Sequence, residues 1–244
     1  MTKTPSTTTT PKRRRSRAGT ALGLAFLLAG VGILAYVAWE FFGTDLVAKR
    51  AQKQNIETIT EAWSKGTDPS QIKGIGLLRV PRFGKSYQMP ILDGFDLKTL
   101  GRGVGRDPEN AQPGEVGNLA LAGHRFSRGG AFHSLPKLRQ GDKVIVETRT
   151  QIFTYEMIED GDAFRVDFTT SWPLWPVPDE AQSGATPTQA MLTLVTCAET
   201  FHSDWRYAAR GVLVKTEAKT GTRTKQVEVP ASKTTPKPKP KASH

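Results

Sequence analysis

Three kinds of hydrophobic patterning divide the chain. From Ala18 to Trp39 no residue is charged and most are apolar. An α-helix rises about 1.5 Å per residue, so roughly 20 such residues cross the hydrocarbon core of a bilayer. The run predicts a transmembrane helix over 18–42, with Tyr36, Trp39, Phe41 and Phe42 at its far end, where amphipathic rings favour the interface. Over 44–66 the apolar residues Ile56, Ile59 and Trp63 fall at helical spacing, and Thr44 stands where a cap belongs. This predicts a helical stalk or linker within 43–73, ended by the turn-rich stretch 66–70. From Ile75 the pattern changes to short runs of Val, Ile, Leu, Phe and Thr bounded by Gly, Pro, Asn and Asp. The runs predict strands over Ile75–Val80, Tyr87–Ile91, Asn118–Ala122, Lys143–Thr148, Ile152–Glu159, Ala190–Thr196 and Ala208–Thr216. Asp96–Leu100 and Ala131–Leu138 read as short helices. Many short strands at near-regular spacing imply a mainly β domain, a largely antiparallel sheet or barrel. A long proline-rich loop, Trp172 to Pro187, precedes the Ala190 strand, and long loops in compact domains are often functional. Residues 219–244 lose apolar content, become rich in Lys and Pro, and read as an unfolded tail.

Charge sharpens the division. The net charge of +11 sits at the two ends. Residues 1–17 hold six basic and no acidic residues, and residues 215–244 hold eight basic and two acidic. The intervening 20 basic and 21 acidic residues leave the β domain near neutrality, which argues against a nucleic-acid-binding fold. Lys12, Arg13, Arg14, Arg15 and Arg17 precede the apolar run. Positive charge stays on the cytoplasmic side, so the expected topology is a single-pass plasma-membrane protein with residues 1–17 inside and the β domain outside. A cleaved signal peptide is the alternative, but its apolar stretch is usually about 7–15 residues with small residues at the cleavage site.

The chain holds one cysteine, Cys197, at the end of the strand-like run Met191–Thr196. A lone thiol cannot form an internal disulfide; outside the cell it signals a reactive group or an intermolecular bond, and it can also be a small buried hydrophobe. A cysteine nucleophile needs a nearby imidazole or cation to hold its thiolate. Four histidines are candidates. His124 follows an alternating strand, after Gly123, which would permit a tight turn; His133 and His202 fall in loops, and His244 lies in the tail. Spacing alone leaves His124 open between a structural and a catalytic role. Acyl transfer also needs donors for an oxyanion, and Arg206 and Arg210 follow the cysteine. Taken singly, either is an ordinary surface charge. No pattern of metal ligands is present, and Gly101–Gly105 lacks the context of a phosphate loop, so no cofactor is implied.

Taken together, these strings resemble the sortases, a family of cysteine transpeptidases. Thr193-Leu-Val-Thr-Cys197 resembles the family's TLxTC sequence, and Leu121-Ala-Gly-His-Arg125 its strand-end histidine. Ile75–Gly84, Thr154–Glu156 and Pro187–Leu192 also match in place. The likeness covers about 74–216 and is greatest to class E of high-GC Gram-positive bacteria, with class D next. It implies an eight-stranded β-barrel as a catalytic domain over 74–218. It further implies cleavage of an LPxTG or LAxTG sorting signal after its Thr, through a thioacyl-enzyme resolved by an amine of the peptidoglycan precursor or a pilin lysine. The partners would be surface proteins bearing that signal, at the membrane. By the resemblance Cys197 is the nucleophile, His124 the acid/base, and Arg210, ahead of Val-Leu-Val, the oxyanion stabiliser; Arg206 sits at a shorter spacing from the cysteine. Thr196 would add a substrate contact. The loop Phe168–Thr186 would line the groove, with Trp172 and Trp175 packing the signal's apolar residue. Class E members usually carry a Tyr in the stretch matching Gly103–Asn110, where this chain has none, so either signal type stays open. Outside the resemblance, a membrane-anchored wall-binding scaffold with a merely buried Cys197 would show the same anchor, tail and β domain.

Overall fold

The structure, a computed structural model, describes residues 17–39, 43–67, 74–199, 204–220 and 223–227. It divides into two units, residues 1–43 and 44–244. The first contains α1, Arg17–Ala38. Its stretch Gly19–Ala38 is long and apolar enough to cross a membrane, with a mean hydropathy of 2.3, and fits a single-pass anchor.

The second unit opens with α2, Thr44–Ser64, where the helical spacing predicted it. One stripe of α2, Ala48, Gln52 and Ile59, is buried, and the helix packs against a strand of the barrel, β2. Among the described residues ten strands follow: β1 Gly76–Arg79, β2 Met89–Asp93, β3 Val104–Arg106, β4 Gly117–Ala122, β5 Lys143–Glu147, β6 Gln151–Met157, β7 Phe164–Asp167, β8 Ala190–Cys197, β9 Trp205–Thr220 and β10 Arg223–Val227. Hydrogen bonding runs β9-β6-β5-β1-β2-β3-β4-β8 and returns from β8 to β9, which closes an eight-stranded barrel; β7 and β10 pair only with β9. Closure removes the free edges that an open sheet exposes. The β2–β3 and β4–β8 pairs are parallel, and the others are antiparallel.

Alternation sorts the side chains. β5 and β6 bury every second residue, as a sheet with one covered face does. β4 and β8 are buried on both faces for most of their length, which explains their continuous apolar sequence. Leu119, Leu121, Leu192 and Leu194 enter the core with Val144, Val146, Phe153 and Tyr155.

Several elements differ from the sequence reading. The helix expected over Ala131–Leu138 is a 3-10 turn at Leu135–Lys137 alone. Its helical spacing still buries Ala131, Phe132, Leu135 and Leu138, but Pro136 has no N–H to donate, so an α-helical ladder cannot run through it. The Tyr87 strand begins at Met89, while Tyr87 turns to donate its hydroxyl to the Ala131 carbonyl at 2.6 Å. Around Asp96 the helix is Leu97–Leu100, with Asp96 capping it. The β3 strand hides in the glycine-rich stretch because its backbone lies against its neighbours: a Cβ on Gly105 would fall 2.3 Å from the Gly94 carbonyl oxygen.

Candidate active site

The site is built where β4, β8 and β9 run side by side. β4 and β8 are in register from Gly117↔Ala190 to Ala122↔Val195. The pairing continues past the strand end, because Gly123 N–H donates to the Val195 carbonyl at 3.1 Å. Thr196 locks it there, its hydroxyl donating to the Gly123 carbonyl at 2.7 Å. Carried two places beyond Ala122, the register sets His124 level with Cys197.

Faces follow from parity. Leu192 and Leu194 point into the core, so Thr193, Val195 and Cys197 take the opposite face of β8. Leu119 and Leu121 do the same on β4 and leave Asn118, Ala120, Ala122 and His124 outward. Of the outward positions next to the His124–Cys197 end, Ala120 is fully covered, while the small side chains of Ala122 and Val195 stay partly exposed. Cys197 is half-buried at the tip of its strand. His124 is half-buried too, and its Nε2 is enclosed without a hydrogen-bond partner among the described residues. Burial, and secondarily the charge of Arg128, hold the imidazole below its ordinary value of 6.5.

The antiparallel β8–β9 ladder pairs Cys197 with Arg206 and Thr193 with Arg210. Directly opposed residues have Cα atoms about 5 Å apart. Arg210 is four positions further along, about 14 Å at roughly 3.4 Å per residue. Its side chain is also committed elsewhere. Nε and Nη2 donate to the two Glu159 carboxylate oxygens at 2.7 and 3.1 Å, and Nη1 donates to the Pro178 carbonyl at 3.0 Å. The guanidinium stacks over Phe164 and Trp172 at 4.7 and 5.9 Å. Arg210 thus stands away from the thiol, where it clamps the long loop to the barrel, and Arg206 holds the β9 position opposite Cys197. Strand phase could not separate the two, since residues four apart share a face.

Two further expectations change. Thr196, expected as a substrate contact, lies on the face opposite Cys197, buried, with its hydroxyl donated to Gly123, where it latches the two strands. Trp172 is buried and packs edge-on against Phe164 at 5.0 Å. Trp175 is half-buried, its indole N–H donating to Ser171 at 3.2 Å. The loop carrying both is pinned by Asn118, whose amide donates to the Pro173 and Trp175 carbonyls, each at 2.9 Å, and accepts from the Thr193 hydroxyl at 2.8 Å. A cavity of about 240 Å³ lies beneath this loop, lined by Pro176–Asp179, Thr186–Gln189, Met191 and Arg210, and does not reach Cys197. Gly123 shows no left-handed backbone; it is required because a Cβ there would meet the buried Phe132 ring at 2.8 Å.

Sequence reasoning missed the role of Arg125, although it stands beside His124. Its Nη1 donates to the Ala198 carbonyl at 2.6 Å and approaches that of Cys197 at 3.5 Å, and its guanidinium lies over Phe126 and Tyr207 at 4.5 and 5.2 Å. It ties the segment after β4 to the end of β8. His202 and His244 lie outside the described residues. No group of three His, Cys, Asp or Glu that could hold a metal occurs among the described residues.

The arrangement is similar to that of known proteins. The family model described as "Sortase domain" matches residues 78–217. The sortase SrtE2 of Streptomyces coelicolor is 30% identical over 238 residues, covering 90% of this chain and 91% of its own. Sortase E from Streptomyces avermitilis superposes with a TM-score of 0.53 at 31% identity, over 60% of this chain and 91% of that one. A sortase D5 of Clostridium perfringens follows with a TM-score of 0.52 at 27% identity, over 69% and 98%.

Proposed function

Because the chain belongs to the sortase family of transpeptidases, we propose that Cys197, His124 and Arg206 form its catalytic centre and that it joins LPxTG- or LAxTG-type sorting signals to an amine. The observation that carries the assignment is their register. Cys197 ends β8, His124 follows its parallel neighbour β4, and Arg206 faces it from its antiparallel neighbour β9.

The chemistry follows from these positions. The Cys197 thiol passes its proton to His124 as its sulfur attacks the carbonyl carbon of the signal's Thr; a C–S bond forms and the carbonyl electrons move onto oxygen. Arg206 donates hydrogen bonds to that oxyanion, a type of contact worth about 10²–10³ in rate. The intermediate collapses, the C–N bond to the following residue breaks, and His124 supplies the proton that the leaving amine takes up. A second amine attacks the thioester, His124 takes its proton, a new amide forms as the C–S bond breaks, and the departing sulfur recovers a proton from His124. Nothing is oxidised or reduced, and a lone cysteine suffices. The partly exposed Ala122 and Val195, beside the His124–Cys197 end, would seat the signal's backbone, with the Asn118-pinned loop as its wall.

The amine would come from the peptidoglycan precursor or a pilin lysine. The apolar helix α1, preceded by the basic cluster, would anchor the enzyme with its N-terminus in the cytoplasm and the catalytic domain outside. Incubating the protein with LPxTG and LAxTG peptides and candidate amines, followed by mass analysis, tests the reading. Wild type should yield the amide adduct and Cys197→Ala none; an adduct formed by Cys197→Ala would overturn it.

A further inference from the structure

The turn after His124 is held in an uncommon conformation from outside the barrel. Arg128, Gly129 and Gly130 have φ values of 51°, 83° and 51°, and Arg128 is the one non-glycine residue with positive φ among the described residues. Three successive left-handed residues do not persist unless their surroundings impose them. The surroundings here are α2. Asp45 accepts from the Gly129 N–H at 2.6 Å, and Gln52, a buried polar residue, donates its amide to the Arg128 carbonyl at 3.3 Å. The fit leaves no room for a side chain, since a Cβ on Gly129 would lie 2.4 Å from Gln52 Nε2. The same turn reaches His124 directly: Phe132 N–H donates to the His124 carbonyl at 2.9 Å, and Gly130 N–H closes on Ser127 at 3.0 Å.

We infer that Asp45 and Gln52 are positioning residues for His124, acting through the Arg128–Gly130 turn that they hold. The inference rests on the assignment of His124 as the acid/base made above. The helix does not touch the imidazole. It fixes where the turn lies, and the turn fixes how far His124 is enclosed and how near the Arg128 charge stands. The charged and titratable groups around the turn are Asp45 and Lys49 on α2 and Arg125, Arg128 and His133 on the loop itself. Across from His124 stand Cys197 on β8 and Arg206 on β9. Asp45 is itself paired with Lys49 at 2.7 Å, so its carboxylate is already charged and oriented toward the turn.

The test uses the full chain in detergent micelles and exploits its single cysteine. Alkylation of Cys197 by iodoacetamide is followed against pH in wild type, Gln52→Ala, Asp45→Ala, the double variant, Asp45→Asn and His124→Ala. Turnover of the signal peptide that wild type cleaves is measured alongside. In the double variant a loosened turn exposes His124 and lets Arg128 move off, so the His124-linked inflection should shift to higher pH. Turnover should fall about tenfold, mostly in kcat, as expected for misplacement of a catalytic group. Asp45→Asn keeps the oxygen that accepts from Gly129 and should retain most activity. Thermal melts identify any variant that fails to fold, in which case Gln52→Ala alone carries the comparison. A double variant, or Gln52→Ala where the double does not fold, with wild-type inflection and kcat overturns the clamp. If His124→Ala itself leaves the inflection and turnover unchanged, the assignment of His124 fails instead.

Discussion

Arg206 stands directly across the β8–β9 ladder from Cys197, while Arg210 stands across from Thr193. The two arginines share a face of one strand and are four residues apart, yet they stand in different surroundings. Arg206 borders the thiol. Arg210 is one of the most heavily engaged side chains of the domain, joining Glu159, Pro178, Phe164 and Trp172.

Substitution should separate those roles. Arg206→Ala should lower kcat/KM about 10²–10³-fold, the usual loss of an oxyanion donor, with little change in melting temperature. Arg206→Lys should recover little, because an ammonium cannot reproduce a planar fork of donors. Arg210→Ala should do the reverse. It strands the partly buried Glu159 carboxylate, at a cost of about 1–3 kcal/mol in stability, and its kinetic effect should appear mainly in KM as the loop loosens. Steady-state kinetics and calorimetry on the same samples decide this; Arg210→Ala dead at unchanged stability would return the catalytic role to Arg210.

How much of this could be read from the chain depends on the range of the cause. The barrel strands β4, β5, β6 and β8 carry their signal locally, in alternating or continuous apolar runs, and were legible. The β3 and β7 strands were not: Val104–Arg106 and Phe164–Asp167 are strands only because neighbours supply hydrogen bonds, and β3 is spelled mostly with the glycine that its close packing demands. Cys197 and His124 each sit in a short string that singles them out locally, but nothing local shows that their strand ends lie level. Which arginine stands opposite Cys197 was not legible, since only the register between two strands, set by residues far from either, decides it. Asn118 and Thr193 were silent for the same reason: their partners lie 55 or more positions away.

The lowered pKa of His124 has a stability consequence with a definite sign. Its folded form resists protonation, so the unfolded chain binds the proton more readily below 6.5. The stability that follows is fully present above the unfolded value and is lost as pH falls from there through the folded value. Urea midpoints at pH 7.5 and 5.5 should therefore drop more for wild type than for His124→Gln. The difference between the two drops isolates His124 from carboxylates such as Asp45 and Asp142, whose lowered values also erode stability in acid. Equal drops would show that His124 titrates as a free imidazole.

Asn118→Ala should free the tryptophan loop. The change leaves the Pro173 and Trp175 carbonyls and the Thr193 hydroxyl without their partner in a buried setting, which costs about 1–3 kcal/mol for each group left unsatisfied. Asn118 lies on the groove face but at the end remote from Cys197, so kcat should change far less than KM. Pairing Asn118→Ala with Thr193→Val measures the coupling, and the double variant should be less destabilised than the sum of the singles. Strict additivity would mean that the three-way contact carries no shared energy.

Gly123 precedes His124, and its importance is one of space. Adding a methyl group there forces a contact at 2.8 Å with the Phe132 ring, which is wholly buried among core side chains and has no flexible end to yield. Overpacking of this kind costs about 1–3 kcal/mol. The strain has two outlets, the ring or the backbone at 123–124. The ring is enclosed, so the backbone should move, and with it the imidazole that the β4–β8 register places beside Cys197. Gly123→Ala should accordingly lose both stability and kcat. Phe132→Leu alone removes ring atoms and leaves a cavity, which destabilises without disturbing His124. Combined, the two should compensate: the double variant should recover kcat and be more stable than the sum of the single losses. A double variant as inactive as Gly123→Ala would show instead that the glycine is needed for its backbone freedom, as its place ahead of the histidine first suggested.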